Sequence, residues 1–329
     1  MSDSFNEDFL ISDPDYASLL NGAVIPELEK LQENRMIPGK DQLPLFCSVF
    51  RADHPRGTVL VLHGFTENAY KYSELIFSLV RNRFSVVAYD QRGHGRSGRV
   101  SGLSHPSVTH VDRFDDYVDD LDIVCGTLLP DLPKPWMIFA HSMGGAVASL
   151  FLERHHDVFS AAAFCAPMIA PATGGIPPAA AAALCRFYCS IGRGKDYPFF
   201  MKPYSGPEDF KTSCATDPSR FNWYDQIKAS RTDFQNSVPS YRWTVESLAV
   251  TRRILAAGAP ESVTCPVLLS TADHDYSVMP GPQKEFIDRV PKGQHLFVPD
   301  SRHEIFRSVN SVFFPWWHTV LSFLKEAES

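Results

Sequence analysis

The sequence predicts an α/β architecture: a mostly parallel central sheet with helices on both faces and one helical excursion. Three observations carry this prediction. From about residue 43 to 167, short apolar runs of strand length alternate with amphipathic helical stretches. One run, Trp136-Met137-Ile138-Phe139-Ala140-His141, breaks at Ser142 and resumes at once with helix formers. That is a strand-turn-helix with a hydroxyl at its apex. The rhythm then stops at Pro167 and restarts at Tyr241, as expected of a sheet interrupted once by a cap.

Residues 1–42 read as a polar leader with one helix near Ile25–Asn34. Leu43–Ala52 alternates like a strand, and Thr58–Leu62 is a fully buried strand ending at His63-Gly64. A helix over about Tyr70–Asn82 leads to the strand Phe84–Asp90 and a glycine-rich loop, Gln91–Gly98. Asp112–Leu129 is an acidic amphipathic helix whose stripe is Phe114, Tyr117, Val118, Leu121 and Val124. After the strand ending at His141 and its helix comes the strand Phe159–Cys165. Residues 168–240 turn irregular, rich in proline, glycine and aromatics, and form the expected cap. A helix at Tyr241–Ala257, a strand at Pro266–Thr271, a helix at Gln283–Arg289, a strand at Gln294–Val298 and a last helix at Val309–Lys325 complete the core. The core is thus 43–167 and 241–329.

Composition narrows the function classes. A net charge of −7 argues against nucleic-acid or anionic-membrane attraction, both of which need a basic surface. The acidic N-terminus lacks the basic start and apolar core of a signal peptide, and no apolar run is long enough to span a bilayer, so a cytoplasmic location is expected. The seven cysteines are scattered, without a C-x-x-C pair, and read as reduced, mostly buried thiols. Cys185 and Cys189 share a helix face but lack a nearby histidine pair, so no metal is expected.

A serine at such an elbow holds its Oγ clear of the sheet, where a base and a substrate reach it. Small neighbours are required because strand and helix nearly touch, and Ala140 and Gly144 flank it in an A-x-S-x-G pattern. An acyl-transfer serine needs a base. Of the twelve histidines, His303 follows a strand and a loop at the sheet edge where α/β proteins place reactive groups. His295 starts that strand and His318 lies inside the last helix, so both read as structural. The acid is expected after the preceding strand, where Asp275 has more reach than Asp273; Asp300 is a third candidate, close in sequence to the base. The order Ser142, Asp275, His303 suits this fold. Oxyanion donors are expected from the backbone N–H of Met143, at the positive end of the elbow helix, and of Phe65, after the strand ending at His63-Gly64. His63 reads as a brace for that loop, and Glu67 as either a buried anchor or a loop carboxylate. The glycine-rich loop lacks phosphate-binding spacing and reads as a structural loop bracing the elbow.

Together these residues resemble the α/β-hydrolase superfamily, and within it the bacterial lysophospholipase and monoacylglycerol lipase branch, described also as serine aminopeptidase-like. The matching segments are His63–Glu67, Asp90–Ser97, Val111–Leu121, Ala140–Gly145, Tyr241–Leu248 and His303-Glu304-Ile305. The likeness implies an α/β-hydrolase fold with a helical cap and a serine hydrolase acting on carboxylic esters of monoacyl lipids. It implies Ser142 as nucleophile, His303 as base, Asp275 as acid, and Phe65 and Met143 as oxyanion donors, with no cofactor. The expected partner is a small-molecule acyl ester or lipid, with transient membrane-interface contact through the cap and no nucleic acid. Ile176, Leu184, Phe187, Tyr188, Phe199, Phe200, Phe221 and Trp223 are candidates for an acyl pocket or for packing of the cap. Rival readings are a small-ester or aryl carboxylesterase, a peptidase using Glu208, Asp209 or Asp217 to hold a substrate amine, and a non-enzymatic receptor.

Overall fold

The computed structural model describes residues 4–327, so the first three leader residues and the last two of the chain lie outside the described residues. Eight strands form one sheet: β1 (Gln32–Pro38), β2 (Pro44–Phe50), β3 (Gly57–Leu62), β4 (Phe84–Tyr89), β6 (Trp136–His141), β7 (Ala161–Cys165), β9 (Val267–His274) and β10 (Gly293–Arg302). They lie in the order β1-β2-β4-β3-β6-β7-β9-β10. From β4 to β10 every pairing is parallel, while β1 and β2 join one edge antiparallel. This is an α/β-hydrolase sheet. Two-residue strands β5 (Val108–Thr109) and β8 (Val238–Pro239) pair separately.

Alternate residues of the central strands face opposite sides, and both sides are covered, which is why these strands read as unbroken apolar runs. Leu60, Leu62, Ile138 and Ala140 pack with α4 (Asp115–Leu128), α5 (Met143–Leu152), α8 (Tyr241–Ile254) and α9 (Pro280–Arg289). Val59, Val61, Met137 and Phe139 pack with α3 (Ser73–Arg81) and α10 (Asn310–Glu326). The register sets Leu62 opposite both Tyr89 and Ala140, and His141 opposite Cys165. Four strands therefore end together, and the loops beyond them meet at one rim.

Two expectations in the leader are corrected. The helix starts earlier, as α1 (Tyr16–Leu19), a π-helical turn (Leu20–Val24) and α2 (Ile25–Leu31), and it ends at Leu31 rather than Asn34. Gln32–Pro38, with no apolar alternation, is an edge strand held by main-chain pairing to β2. The leader is also docked: Leu10, Ile11, Leu20 and Val24 are buried against α3 and the sheet.

Residues 168–240 contribute no strand to the eight-stranded sheet; they carry α6 (Pro178–Ser190) and α7 (Pro218–Ser230). Arg220 of α7 is a buried tie. Its guanidinium reaches both carboxylate oxygens of Glu74 on α3 at 3.0 Å, Asn310 Oδ1 at 2.8 Å and the carbonyls of Ile11 and Ser308 at 3.3 Å. No helix of the described residues is long and apolar enough to cross a membrane.

Candidate active site

β6 and α5 meet at Ser142, whose backbone lies at φ 49°, ψ −117°. A non-glycine residue held there stores about 1–3 kcal/mol of strain. The surroundings fix it: Ser142 N–H donates to Cys165 O at 3.1 Å, and its carbonyl accepts from Gly145 N at 2.9 Å and Met168 N at 2.8 Å. The tight crossing explains the small residues. A Cβ on Gly144 would stand 2.7 Å from Leu62 O and 2.8 Å from His63 O, and one on Gly145 would stand 2.4 Å from Pro167 Cβ.

Ser142 Oγ lies 2.8 Å from His303 Nε2, and His303 Nδ1 lies 2.7 Å from Asp275 Oδ2. The pairing assigns the ring proton to Nδ1, so Nε2 is free to accept the hydroxyl proton. The other Asp275 oxygen accepts from Ser277 N at 2.8 Å and Val278 N at 3.1 Å. Burial opposes ionisation of Asp275, yet the His303 charge, the His303 bond and these two amides hold its carboxyl below the ordinary value. Burial likewise pulls His303 down, but Asp275, with Glu304 and Glu67 behind it, raises the imidazole above its ordinary value. The other two candidate acids point elsewhere: Asp273 Oδ2 accepts from Asp300 N at 3.2 Å, and Asp300 sits at φ 56° in an irregularity of β10.

The turn after β3 lies against the elbow, since a Cβ on Gly64 would stand 3.0 Å from Ser142 Cβ. Among the described residues, the Phe65 and Met143 amides have no hydrogen-bond acceptor, and Met143 heads α5, where the first N–H groups point out of the helix. His63 braces the turn. Its Nε2 accepts from Gln91 N at 2.8 Å, so Nδ1 carries the proton toward Gly64 O at 2.8 Å, and burial lowers its pKa. The glycine-rich loop therefore braces this turn through Gln91, rather than the elbow itself.

Glu67 is a buried anchor. It accepts from Gly64 N at 2.6 Å and Tyr72 Oη at 2.5 Å, and lies 3.0 Å from His141 Nδ1 and 2.6 Å from Lys71 Nζ. Lys71 Nζ also reaches Glu304 at 2.6 Å, and Glu304 pairs with Arg307 at 2.5 Å. Burial works against the Glu67 charge, but Lys71 and His141 overcome it and hold the carboxyl well below the ordinary range. His141 Nε2 meets the carbonyl of His303 at 3.2 Å. This network joins the β3 turn, the elbow and the histidine loop. No sequence motif marks Lys71, Tyr72 or His141 as a member of this network. The four-residue spacing of Glu67 and Lys71 is the one local signal for it, because Glu304 is 233 residues from Lys71.

The acidic residues 208, 209 and 217 are engaged away from these groups. Glu208 pairs with Lys228 at 2.6 Å, Asp209 caps Lys211 N at 2.9 Å, and Asp217 caps Arg220 N at 2.8 Å. Of the apolar candidates in 168–240, Phe221 and Trp223 are buried and Tyr188 stacks on Tyr241, whereas Ile176, Leu184, Phe187, Phe199 and Phe200 are exposed. All seven cysteines are free.

A family model described as serine aminopeptidase, S33, matches residues 53–310. The chain belongs to this family. Within it, the chain falls in the lysophospholipase and monoacylglycerol lipase branch. It is 30% identical over 308 residues to lysophospholipase L2 of Escherichia coli K12, covering 88% of this chain and 87% of that one. A monoacylglycerol lipase of Mycolicibacterium smegmatis is 30% identical over 116 residues, covering 35% of this chain and 39% of that one. Among solved structures, the monoacylglycerol lipase of Paleococcus ferrophilus superposes with a TM-score of 0.68 at 20% identity, over 86% of this chain and 99% of that one. The monoglyceride lipase of Saccharomyces cerevisiae does so with a TM-score of 0.69 at 18% identity, over 90% and 96%. These likenesses establish the α/β-hydrolase fold for this S33 member.

Proposed function

We propose that this S33 family member is a serine hydrolase that cleaves carboxylic esters of monoacyl lipids through an acyl-enzyme on Ser142. The observation that carries the reading is the unbroken line of hydrogen bonds from Ser142 Oγ through His303 to Asp275, at 2.8 and 2.7 Å, on a strained elbow. Ser142 Oγ attacks the ester carbonyl while His303 Nε2 takes its proton; Asp275 holds the proton on Nδ1 and stabilises the imidazolium. The oxyanion that forms is met by the Phe65 and Met143 amides. The imidazolium returns its proton to the departing alcohol, and the acyl group stays on Oγ. Water then gives a proton to His303, attacks the acyl-enzyme and releases the fatty acid as Ser142 recovers its hydrogen.

Residues 168–240 act as the cap in this reading. The exposed Phe187, Phe199 and Phe200 give the cap an apolar face for transient contact with a lipid interface. The engagement of Glu208, Asp209 and Asp217 in capping and ion pairs disfavours their holding a substrate amine.

The test is hydrolysis of a p-nitrophenyl ester series from acetate to palmitate, with Ser142→Ala as control. Activity that peaks at medium or long chains and disappears in the variant is expected. Activity confined to acetate replaces the lipid reading with a small-ester one. Hydrolysis of peptide amides alone rejects the ester reading.

A further inference from the structure

Beside the candidate triad lies an open groove of about 1020 Å³, walled by the start of the 168–240 segment, α6, α8 and the loop after β9. Its lining is apolar, with Ala170, Ile176, Leu248, Val278 and Met279 prominent. Two charges of one sign interrupt it: Arg186 on α6 and Arg252 on α8. The acidic lining residue, Asp275, is committed to His303, and its side chain is only 3% exposed.

Arginines near these two are neutralised. Arg253 pairs with Asp115, Arg242 with Glu246 and Arg193 with Asp196. Among the described residues, the side chains of Arg186 and Arg252 have no ion pair, hydrogen bond or ring contact. No Asp or Glu occurs from Thr173 to Lys195 in a chain whose net charge is −7. Two unpaired guanidinium groups in one apolar groove form a site for an anion carried on an apolar body, and guanidinium suits phosphate geometry.

We propose that this groove receives the phosphodiester head group of a monoacyl phospholipid, with Arg186 and Arg252 as its specificity-determining contacts while the ester lies at Ser142. The inference rests on the ester-hydrolase reading above and deepens it. Asp275 links groove to nucleophile: it lines the groove and bonds His303, which in turn meets Ser142 Oγ. A glycerol backbone separates ester from phosphate in such a lipid, so one molecule can address both places. An uncharged monoacylglycerol offers the arginines hydroxyl groups but no charge, and the groove therefore discriminates between two lipids that the triad alone treats alike.

The experiment compares 1-oleoyl-lysophosphatidylglycerol with 1-oleoylglycerol, both at low mole fraction in neutral detergent micelles so that the interface carries little charge. For R186Q/R252Q, KM for the phospholipid should rise about tenfold with kcat unchanged, the loss expected for a charge-assisted contact. Kinetics on oleoylglycerol should stay within about twofold of the starting protein, as expected for exposed side chains outside the core. R186K/R252K should keep most of the charge-dependent preference, and added salt should raise KM for the phospholipid alone. An unchanged KM for the phospholipid, or equal changes on both lipids, overturns the proposal. So does a starting protein that hydrolyses oleoylglycerol but not the phospholipid. If the double variant alters only inhibition by free oleate, the arginines hold the product carboxylate and the proposal fails. A starting protein that hydrolyses no ester overturns the underlying activity as well.

Discussion

His303 concentrates the electrostatics of the site. It is buried, which favours the neutral ring, yet Asp275, Glu304 and Glu67 together raise its pKa above the ordinary value, while Lys71, Arg307 and His141 complete the charged and titratable groups around it. As a base it must be neutral to take the Ser142 proton, so kcat/KM should climb as pH rises through the folded-state value and level off above it. Asp275→Asn removes the leading cause of the upward shift and leaves burial pulling the ring down. The acidic limb should therefore move to lower pH. The rate on the plateau should fall by about 10³–10⁴, because an amide no longer holds the proton on Nδ1. A pH–rate profile of the two proteins on one soluble ester checks both effects. A limb that stays in place or moves to higher pH contradicts the assignment of Asp275 as the group facing the base.

At the scale of elements, the crossing of α5 over β3 sets how far Ser142 stands from the neighbouring turn. Gly144→Ala places a methyl 2.7–2.8 Å from the carbonyl oxygens of Leu62 and His63, which are backbone and cannot swing aside. The helix has to lift, so a loss of about 1–3 kcal/mol and a marked fall in esterase activity are expected. Gly126 on α4 is the control: nothing lies within 4 Å of a Cβ there, and Gly126→Ala should stabilise by about 0.5–1 kcal/mol. Urea midpoints and specific activities decide it, and equal effects at the two glycines remove the argument from close approach. Elements with buried faces were legible in the sequence, since apolar runs marked β3, β4, β6 and β7 to within two residues or so. β1 was not, because Gln32–Pro38 alternates poorly and owes its form to pairing with β2. The helices of 168–240 were not placed either: α6 begins in a proline-alanine run with little sign of a buried face, and only Ala182 and Cys185 along it are buried.

For the whole molecule, the groups that join distant parts are those a linear reading reaches least. Ser142, Asp275 and His303 each sit at a strand end that periodicity reveals, whereas Lys71 lies beyond β3 and Glu304 beyond β10, and only the folded sheet brings the two together. Arg220 extends the same principle to the leader, α3, α7 and α10. Its side chain is 3% exposed and that of Glu74 is 7% exposed, so the pair is buried, and breaking it leaves the Glu74 carboxylate without its counter-charge, with the Ile11 N–H at 3.0 Å still donating to it. Arg220→Met should destabilise the protein by about 3–5 kcal/mol, read as a lower urea midpoint at an unchanged denaturant slope. The double variant Arg220→Met, Glu74→Leu should recover most of that loss, since no uncompensated charge then remains in the interior. A double variant no more stable than Arg220→Met alone would locate the contribution of Arg220 in its bonds to the Ile11 and Ser308 carbonyls and Asn310. In that case hydrogen bonds add to the burial of Leu10 and Ile11 in holding the leader, and removing residues 1–15 should cost more than the arginine does.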